Sequence, residues 1–223
     1  MQSLRGAFGK VSAVAPRIEK LYVTEDGLRK VEREFPSHIS ELDIFLVSEG
    51  IMKEMTDTSS PQGLLALCSY KESVLEEIGS ANKIAYFWQL QDPGNAGTVI
   101  RTADACGFDA VIFSDQSVDI YSPKVVRSTA GSLWNIPVVE AVALESFLEF
   151  ATSRTLMAFD GNGSRSLTDV SPSDEFSLIF GNEARGLPQL PDDVEIVSIP
   201  MKGYAESFNV ASAAAIAMFH VSR

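Results

Sequence analysis

Apolar residues in the longer, C-terminal part of this chain form short continuous runs that alternate with segments of helical periodicity. The runs predict strands at residues 84–90, 110–113, 155–159, 178–180 and 195–199. The segments between them predict helices at residues 96–106, 122–129 and 144–153, followed by an Ala-rich apolar helix at 210–219. Continuous apolar strands between helices are typical of a parallel sheet that is buried on both faces. The pattern therefore predicts an α/β fold with a parallel sheet.

The first part of the chain has a more mixed pattern, which predicts a smaller α/β module. Strands are expected at residues 18–23, 43–47 and 64–68, with a short helix capped by Ser48. Turn-forming residues follow the first strand at 24–27, so we expect that strand to end in a turn. Residues 71–82 have the composition of a connector. We therefore place a domain boundary near Ser80, with domains at 1–80 and 81–223.

The composition is that of an ordinary globular protein, with 45% hydrophobic and 22% charged residues in a chain of 223. No apolar run approaches the roughly 20 residues that span a bilayer. The first residues lack the uninterrupted apolar segment of a secretory signal, so we expect a cytoplasmic protein. Cys68 and Cys106 have neither metal-binding nor CxxC spacing, and no metal site is expected.

Three loops that follow predicted strands carry unusual combinations of polar residues. In open α/β sheets, ligands bind beyond the carboxyl ends of the strands, so a functional site is expected in these loops. They are residues 91–101 with Asn95 and Arg101, residues 181–188 with Glu183 between two glycines, and residues 199–210 with Ser207 and Asn209. The last loop leads directly into the apolar helix, which would place hydrogen-bonding groups beside an apolar wall.

Each loop taken singly also has a purely structural interpretation. Asn95, Ser207 and Asn209 are residue types that cap helix N-termini. Glu183 is equally compatible with a solvated side chain in a Gly-rich turn. If Glu183 is held at the end of a sheet, its charge needs a partner, and Arg101 would supply one.

Taken together, the three loops resemble the three motifs of the SpoU/TrmH-like RNA ribose 2′-O-methyltransferases. The matching segments are Asn-Ala-Gly-Thr-Val-Ile-Arg at 95–101, Gly-Asn-Glu-Ala-Arg-Gly-Leu at 181–187 and Ile-Pro-Met-Lys-Gly-Tyr-Ala-Glu-Ser-Phe-Asn-Val at 199–210. Residues 121–131 resemble the family's segment between the first two motifs. Residues 20–25 and 60–66 are similar to the ribosomal-protein-like RNA-binding domain often fused in front, with its usual opening helix and strand missing.

The resemblance implies a SPOUT fold, in which the C-terminal segment of a parallel α/β sheet is threaded into a trefoil knot that binds S-adenosylmethionine. It also implies a homodimer. The cofactor-binding residues that it implies are Gly181, Ile199, Phe208, Phe159, Asp160, Met201 and Gly203. The family's usual Leu before the last motif Asn is Phe208 here, and its usual Gly after the motif Glu is Ala184.

The implied reaction is attack of a ribose 2′-oxygen on a sulfonium methyl group, with Arg101 in the position of the family's proposed base. A guanidinium is a poor proton acceptor. We therefore expect Arg101 to hold the adjacent phosphate and to stabilise the developing negative charge. Glu183 is then expected to position Arg101, while Asn95, Ser207 and Asn209 orient the reactants.

The formal net charge of −12 opposes binding to a polyanion such as RNA. Four basic residues nevertheless lie beside the motifs, and we expect them to contact phosphates: Lys124, Arg127, Arg185 and Lys202. A local basic cleft on an acidic protein is therefore expected.

Other functions remain open at this point. The RNA is expected to be ribosomal, because the front domain is of a kind that recognises folded RNA by shape, and transfer RNA is the alternative. A homodimer that binds S-adenosylmethionine and RNA without catalysis is a further alternative. The joint presence of the five candidate catalytic residues argues against it. A dinucleotide-dependent enzyme is disfavoured, since no GxGxxG turn follows the first strand of the parallel sheet.

Overall fold

The computed structural model describes residues 15–70, 72–171 and 174–223. The chain forms two compact units, Met1–Lys71 and Glu72–Arg223, which divide within the segment predicted as a connector. The first unit holds a small mixed sheet, and the second holds a large parallel one. No helix in the described ranges is long and apolar enough to cross a membrane.

The first unit is built around a three-stranded sheet. Its strands are β1 (Arg17–Val23), β2 (Ile44–Leu46) and β3 (Leu64–Ser69), and its α-helices are α1 (Glu25–Glu34) and α2 (Glu49–Met55). β1 is central, with β2 parallel and β3 antiparallel to it. Leu21 and Val23 of β1 pack with Val31 of α1, and all three are fully buried. The predicted strands and the helix capped by Ser48 are confirmed.

Helix α1 stands where the sequence predicts only a turn, so that prediction is wrong. The Thr24 side chain accepts a hydrogen bond from Gly27 N at 3.2 Å and caps the helix. Gly27 is required for close packing, because a Cβ at this position would lie 2.0 Å from the carbonyl oxygen of Gly63. The residues Thr-Glu-Asp-Gly therefore open a helix.

The second unit contains a seven-stranded sheet in which the paired strands are all parallel. The strands are β4 (Lys83–Phe87), β5 (Ala110–Phe113), β6 (Val138–Val139), β7 (Thr155–Phe159), β8 (Arg165–Ser166), β9 (Phe176–Phe180) and β10 (Glu195–Ser198). Their order is β6-β5-β4-β9-β7-β10-β8. The predicted α/β fold with a parallel sheet is confirmed. β6 and β8, with two residues each, are too short for an apolar run to reveal.

Helices pack on both faces of this sheet, as its apolar strands predict. They are α3 (Pro93–Ala105), α4 (Pro123–Ser128), α5 (Leu144–Phe150) and α6 (Val210–Val221). Phe87 of β4 belongs to the core that includes Ile100 of α3 and Met218 of α6. Its neighbour Tyr86 points to the opposite face and stacks on Phe147 of α5, with ring centroids 4.3 Å apart. The four predicted helices are therefore confirmed, with ends that differ by a few residues.

The strand order changes direction between β4 and β9, which places a crevice beyond the carboxyl ends of these strands. Four adjacent strands end in a phenylalanine at this edge. Phe113, Phe87, Phe180 and Phe159 stack in a row, with successive ring centroids 5.6, 5.1 and 5.0 Å apart. The four strands therefore end side by side, and the loops that follow them begin at the same edge of the sheet.

Candidate functional site

A cavity of about 320 Å³ lies beyond the carboxyl ends of β7, β9 and β10. We call it the motif cavity, because the loops that carry the second and third motifs line it. Six of the seven predicted cofactor-binding residues are among its lining residues: Phe159, Asp160, Gly181, Ile199, Met201 and Phe208. Gly203, the seventh, is exposed and does not line it. The structure thus brings together residues that lie far apart in the sequence.

The sequence interpretation missed several apolar residues of this cavity. Val197 comes from β10, Leu187 from the end of the second motif, and Val210 and Ala213 from the first turn of α6. A signal was present for the last two, because the apolar helix was expected to adjoin the polar loop before it. These residues make one wall of the motif cavity apolar.

Hydrogen bonds join all three motif loops at the edge of the motif cavity. Asn95 Nδ2 donates to Glu183 Oε1 at 3.1 Å. Asn209 Nδ2 donates to Asn95 Oδ1, also at 3.1 Å. We call these three residues the amide network. Because the Asn95 amide both donates and accepts, its orientation is fixed by one partner from each of the other two loops.

The expectation that these asparagines are simple helix caps holds only for Asn209. Its Oδ1 accepts from two backbone N–H groups of the first turn of α6, at 2.9 and 3.3 Å. Helix α3 is capped instead by Asp92, whose Oδ1 accepts from Asn95 N at 2.8 Å. This cap leaves the Asn95 side chain available for the amide network. Ser207 lines the motif cavity and is not the cap of α6.

Glu183 and Arg101 are not brought together. Glu183 pairs with Asn95, and Arg101 is exposed on α3, with no ion pair among the described residues. The physical reason lies in the helix: Arg101 is six residues after Asn95, which is about 9 Å along the axis and about 120° around it. The prediction that Glu183 positions Arg101 is therefore not met. Arg101 presents a free guanidinium instead.

The second motif loop is a tight hairpin in which backbone approaches backbone. Asn182 N donates to Gly186 O, and Gly186 N donates to Asn182 O, both at 2.9 Å. A Cβ at Gly181 would lie 2.3 Å from Gly186 O, and Gly186 itself has a φ of +71°. Both glycines are required by this geometry, which presents Glu183 at the tip of the loop.

The basic residues predicted to contact RNA differ in their surroundings. Lys124 and Arg127 lie one helical turn apart on α4, both exposed, with no carboxylate within ion-pair distance in the described ranges. Lys202 is exposed in the third motif loop. Arg185 is engaged, because its Nη1 donates to Gln89 Oε1 at 2.9 Å. Three of the four are thus free for a polyanion despite the acidic total charge.

Helices α3 and α4 are in close contact, so the exposed cations that they carry belong to neighbouring helices. The Ser128 hydroxyl donates to the carbonyl oxygen of Pro93 at 3.1 Å. A Cβ at Gly97 would lie only 1.8 Å from that hydroxyl oxygen. The exposed cations of α4 are therefore carried on a helix that is packed directly against the start of α3.

A second cavity, of about 690 Å³, lies at the edge strand β6. We call it the edge cavity. Its lining includes Glu72, Asp119 and Glu140 and none of the predicted site residues. Burial raises the pKa of Glu140, with Asp119 and Glu72 adding to the effect, while a hydrogen bond from Ile120 N at 3.0 Å opposes it. No group of residues suited to hold a metal ion occurs in the described part of the chain.

Comparison with known proteins identifies relatives for nearly the whole chain. The model of the SpoU rRNA Methylase family matches residues 82–219. The chain is 35% identical over 205 residues to the 23S rRNA (guanosine(2553)-2′-O)-methyltransferase RlmP of Bacillus subtilis. The matched region covers 89% of this chain and 81% of that protein. It is 28% identical over 214 residues to the 23S rRNA (uridine(2479)-2′-O)-methyltransferase of Streptomyces viridochromogenes, covering 91% and 75%.

Solved structures show the same architecture. An AdoMet-bound rRNA methyltransferase from Sinorhizobium meliloti matches with a TM-score of 0.84 and 27% identity, over 99% of this chain and 84% of that one. The SpoU methyltransferase AviRb from Streptomyces viridochromogenes, in complex with AdoMet, matches with a TM-score of 0.83 and 24% identity, over 99% and 86%. The second match supports the fold alone.

Proposed function

Since the chain belongs to the SpoU rRNA methylase family, we propose that it transfers a methyl group from S-adenosylmethionine to a ribose 2′-hydroxyl in ribosomal RNA. The observation that carries this proposal is the amide network, which joins one residue from each of the three family motifs beside the motif cavity. Neither a packed core nor a simple RNA-binding surface requires this arrangement.

The residues of the motif cavity fit S-adenosylmethionine. When bound, this molecule supplies the methyl group as an electrophilic sulfonium. The volume of the motif cavity, about 320 Å³, lies at the lower end of the range for small-molecule sites. Ile199, Met201 and Phe208 offer apolar surface for an adenine ring and a methylene chain. We assign Gly181, Phe159 and Asp160 to the same cofactor, since they line the same cavity.

We assign to Arg101 the role of holding the RNA. The 2′-oxygen forms a bond to the methyl carbon, the carbon–sulfur bond breaks toward sulfur, and the hydroxyl proton must leave to solvent or to a nearby base. A cation beside the 2′-oxygen favours loss of this proton and stabilises the developing charge. Arg101 is suited to this role because no carboxylate of the described residues neutralises it. Lys124, Arg127 and Lys202 would add phosphate contacts.

The amide network has an orienting role in this scheme. Glu183 fixes Asn95 by accepting its Nδ2–H, and Asn209 fixes it from the other side. Ser207 lies in the lining beside them and offers a hydroxyl for a further hydrogen bond. Holding reacting groups in one orientation lowers the entropic part of the barrier, which is the contribution we assign to these four residues.

The finer expectations from the resemblance are part of the same proposal. We propose that the C-terminal segment is threaded into a trefoil knot, that residues 1–80 recruit RNA, and that the protein acts in the cytoplasm. We also propose a homodimer. Support for it comes from large apolar side chains that are exposed on the third motif loop and α6, namely Tyr204, Phe208, Ile216 and Phe219.

The test is to incubate the purified protein with methyl-labelled S-adenosylmethionine and separate pools of unmodified ribosomal and transfer RNA, and to map modified riboses. We expect label on a ribose of ribosomal RNA. Label confined to transfer RNA would support that alternative. Cofactor binding without label on any RNA would overturn the enzymatic proposal in favour of a non-catalytic binding protein.

A further inference from the structure

Gln89 is a hub of hydrogen bonds just after β4, outside the three motifs. Its backbone is left-handed, with a φ of +49°, a conformation that costs energy for a residue with a side chain. Its N–H donates to Ser114 Oγ at 2.7 Å, and its carbonyl oxygen accepts from Asn182 Nδ2 at 2.7 Å. Its side-chain oxygen accepts from Arg185 at 2.9 Å. The strained conformation is thus held from three sides.

Asn182 is the residue that connects this hub to the second motif loop. Its Oδ1 accepts from Ala184 N at 2.9 Å and from Arg185 N at 3.0 Å, which closes a turn around Glu183. Its Nδ2 then ties that turn to the carbonyl of Gln89. The bond continues the ladder between β4 and β9 beyond the strand ends, because Trp88 N already donates to Phe180 O at 2.9 Å.

Two separate links therefore hold the second motif loop, one to the first motif loop and one to the residue just after β4. One is the contact between Asn95 and Glu183 in the amide network. The other runs from Gln89 to Asn182, and it does not involve any residue that the site requires for chemistry. A single 3.1 Å hydrogen bond between exposed side chains is too weak to hold a loop in place against water. The second link supplies the missing rigidity.

We propose that Asn182 is a positioning residue for methyl transfer, which locks the loop that carries Glu183 to the backbone of Gln89 and thereby fixes Glu183 against Asn95. This inference rests on the proposed function. Arg185 belongs to the lock through its bond to the Gln89 side chain, rather than to the RNA-binding surface. Asn182 itself lines the motif cavity, but its hairpin bonds to Gly186 are made by backbone groups, so we expect the cofactor side of the loop to keep its shape when the side chain is changed.

Two substitutions of Asn182 separate the lock from the turn. Asn182→Asp keeps an oxygen that accepts from Ala184 N and Arg185 N, but places an acceptor against the Gln89 carbonyl. Asn182→Ala removes both sets of bonds. We expect kcat to fall at least about 20-fold in both variants, with KM for S-adenosylmethionine and for RNA within about threefold of wild type. The matched control is Asn135→Ala, since Asn135 also donates a side-chain hydrogen bond, to Asp104 Oδ2 at 2.9 Å, but does not line the motif cavity.

Amide hydrogen exchange measures the turn around Glu183 independently of activity, so it separates loss of the turn from loss of the lock. In Asn182→Asp we expect Ala184 N–H and Gly186 N–H to stay protected, as in wild type, and in Asn182→Ala only Gly186 N–H. A kcat for Asn182→Asp within threefold of wild type would overturn the inference, as would a rise in KM for S-adenosylmethionine as the main effect. If wild-type protein methylates no RNA, the proposed function fails instead, and the exchange pattern still decides whether Asn182 organises the loop.

Discussion

The motif cavity and the edge cavity lie along the same parallel sheet and differ in the partners that their polar side chains have. The edge cavity is about twice as large, at about 690 Å³ against about 320 Å³. It is lined by Glu72, Asp119 and Glu140, which repel one another and would repel RNA. The motif cavity also has two carboxylates in its lining, Asp160 and Glu183, but Glu183 accepts a hydrogen bond from Asn95 in the amide network. Exposed cations lie on the neighbouring helices α3 and α4.

This difference shows that size alone does not identify a functional site. The edge cavity is a space left beside a two-residue edge strand, and the groups around it satisfy local backbone, as Glu140 does for Ile120. In the motif cavity, side chains use their hydrogen-bonding capacity on partners from distant parts of the chain. Such long-range pairing of exposed polar groups contributes little to stability, so its presence favours a catalytic explanation.

The largest expected effect is that of removing the free cation. We predict that Arg101→Ala lowers the rate of methyl transfer about 1000-fold, because the charge that develops on the 2′-oxygen loses its stabilising partner. Labelled methyl incorporation into ribosomal RNA measures this loss. Calorimetry should find S-adenosylmethionine binding within about threefold of wild type. Full activity in this variant would remove the main contrast between the two cavities. Lys83→Ala serves as the control, because Lys83 is a half-buried cation at the start of β4, at the end of the strand opposite the motif loops.

A smaller loss of activity is expected when a second negative charge is placed beside Glu183 in the amide network. Asn95→Asp places a carboxylate against Glu183, so the contact between the two loops becomes repulsive. We predict that kcat falls about 100-fold in this variant. Asn95→Ala, which removes the contact without repulsion, should lose less. Equal losses would show that orientation of Asn95 itself, rather than the distance to Glu183, is what matters.

Asn209 allows stability and activity to be separated. Asn209→Asp keeps an oxygen that caps α6 but removes the donor to Asn95, so we predict about a 10-fold loss of kcat with little change in unfolding free energy. Asn209→Ala also removes the cap, and its unfolding free energy should fall by about 1 kcal/mol. Urea unfolding and steady-state kinetics together measure both. A variant Asn209→Asp that is fully active would exclude Asn209 from the amide network's role.

The smallest effect is expected in the edge cavity. Burial raises the pKa of Glu140 in the folded protein, so ionisation of Glu140 destabilises the fold above that pKa. This cost disappears as the pH falls below the ordinary pKa that Glu140 has in the unfolded chain, because the carboxyl group is then protonated in both states. Glu140→Gln keeps an acceptor for Ile120 N. We predict a melting temperature about 1–2 °C above wild type at pH 8, and no difference near pH 4.

Methyl transfer by Glu140→Gln provides the complementary measurement. We expect its rate to stay within about twofold of wild type, since no residue of the edge cavity belongs to the proposed mechanism. A large loss of activity would mean that the edge cavity takes part in RNA binding or catalysis. Both cavities would then contribute to activity, and the motif cavity would differ only in the size of its contribution.

The sequence predicted the sheet and the positions of the three loops because both depend on local patterns. Continuous apolar runs mark buried strands, and each loop follows such a run directly. The partner of Glu183 was not predictable in this way. It depends on where α3 begins, because the cap at Asp92 sets the start of the helix and so leaves Asn95, rather than Arg101, within hydrogen-bonding distance of Glu183. A shift of one helical turn would have produced a different pairing.

Two other features were hidden for related reasons. The composition of residues 24–27 suits both a turn and a helix start, and only the packing of Gly27 against Gly63 distinguishes them. The left-handed backbone of Gln89 has no sequence signal, because glutamine is not a residue that favours it. Both depend on contacts with segments far along the chain, which a local pattern does not contain.

The bond between Asn209 and Asn95 joins residues 114 positions apart, and α6 begins only at Val210, near the end of the chain. During synthesis, β4 and α3 are therefore made long before the residues that complete the site. Contacts of such sequence separation form late in folding, because closing a long loop costs entropy before it returns any stabilisation. A chain that has not yet been extended past Asn209 therefore lacks a complete amide network, and we expect it to be inactive on RNA.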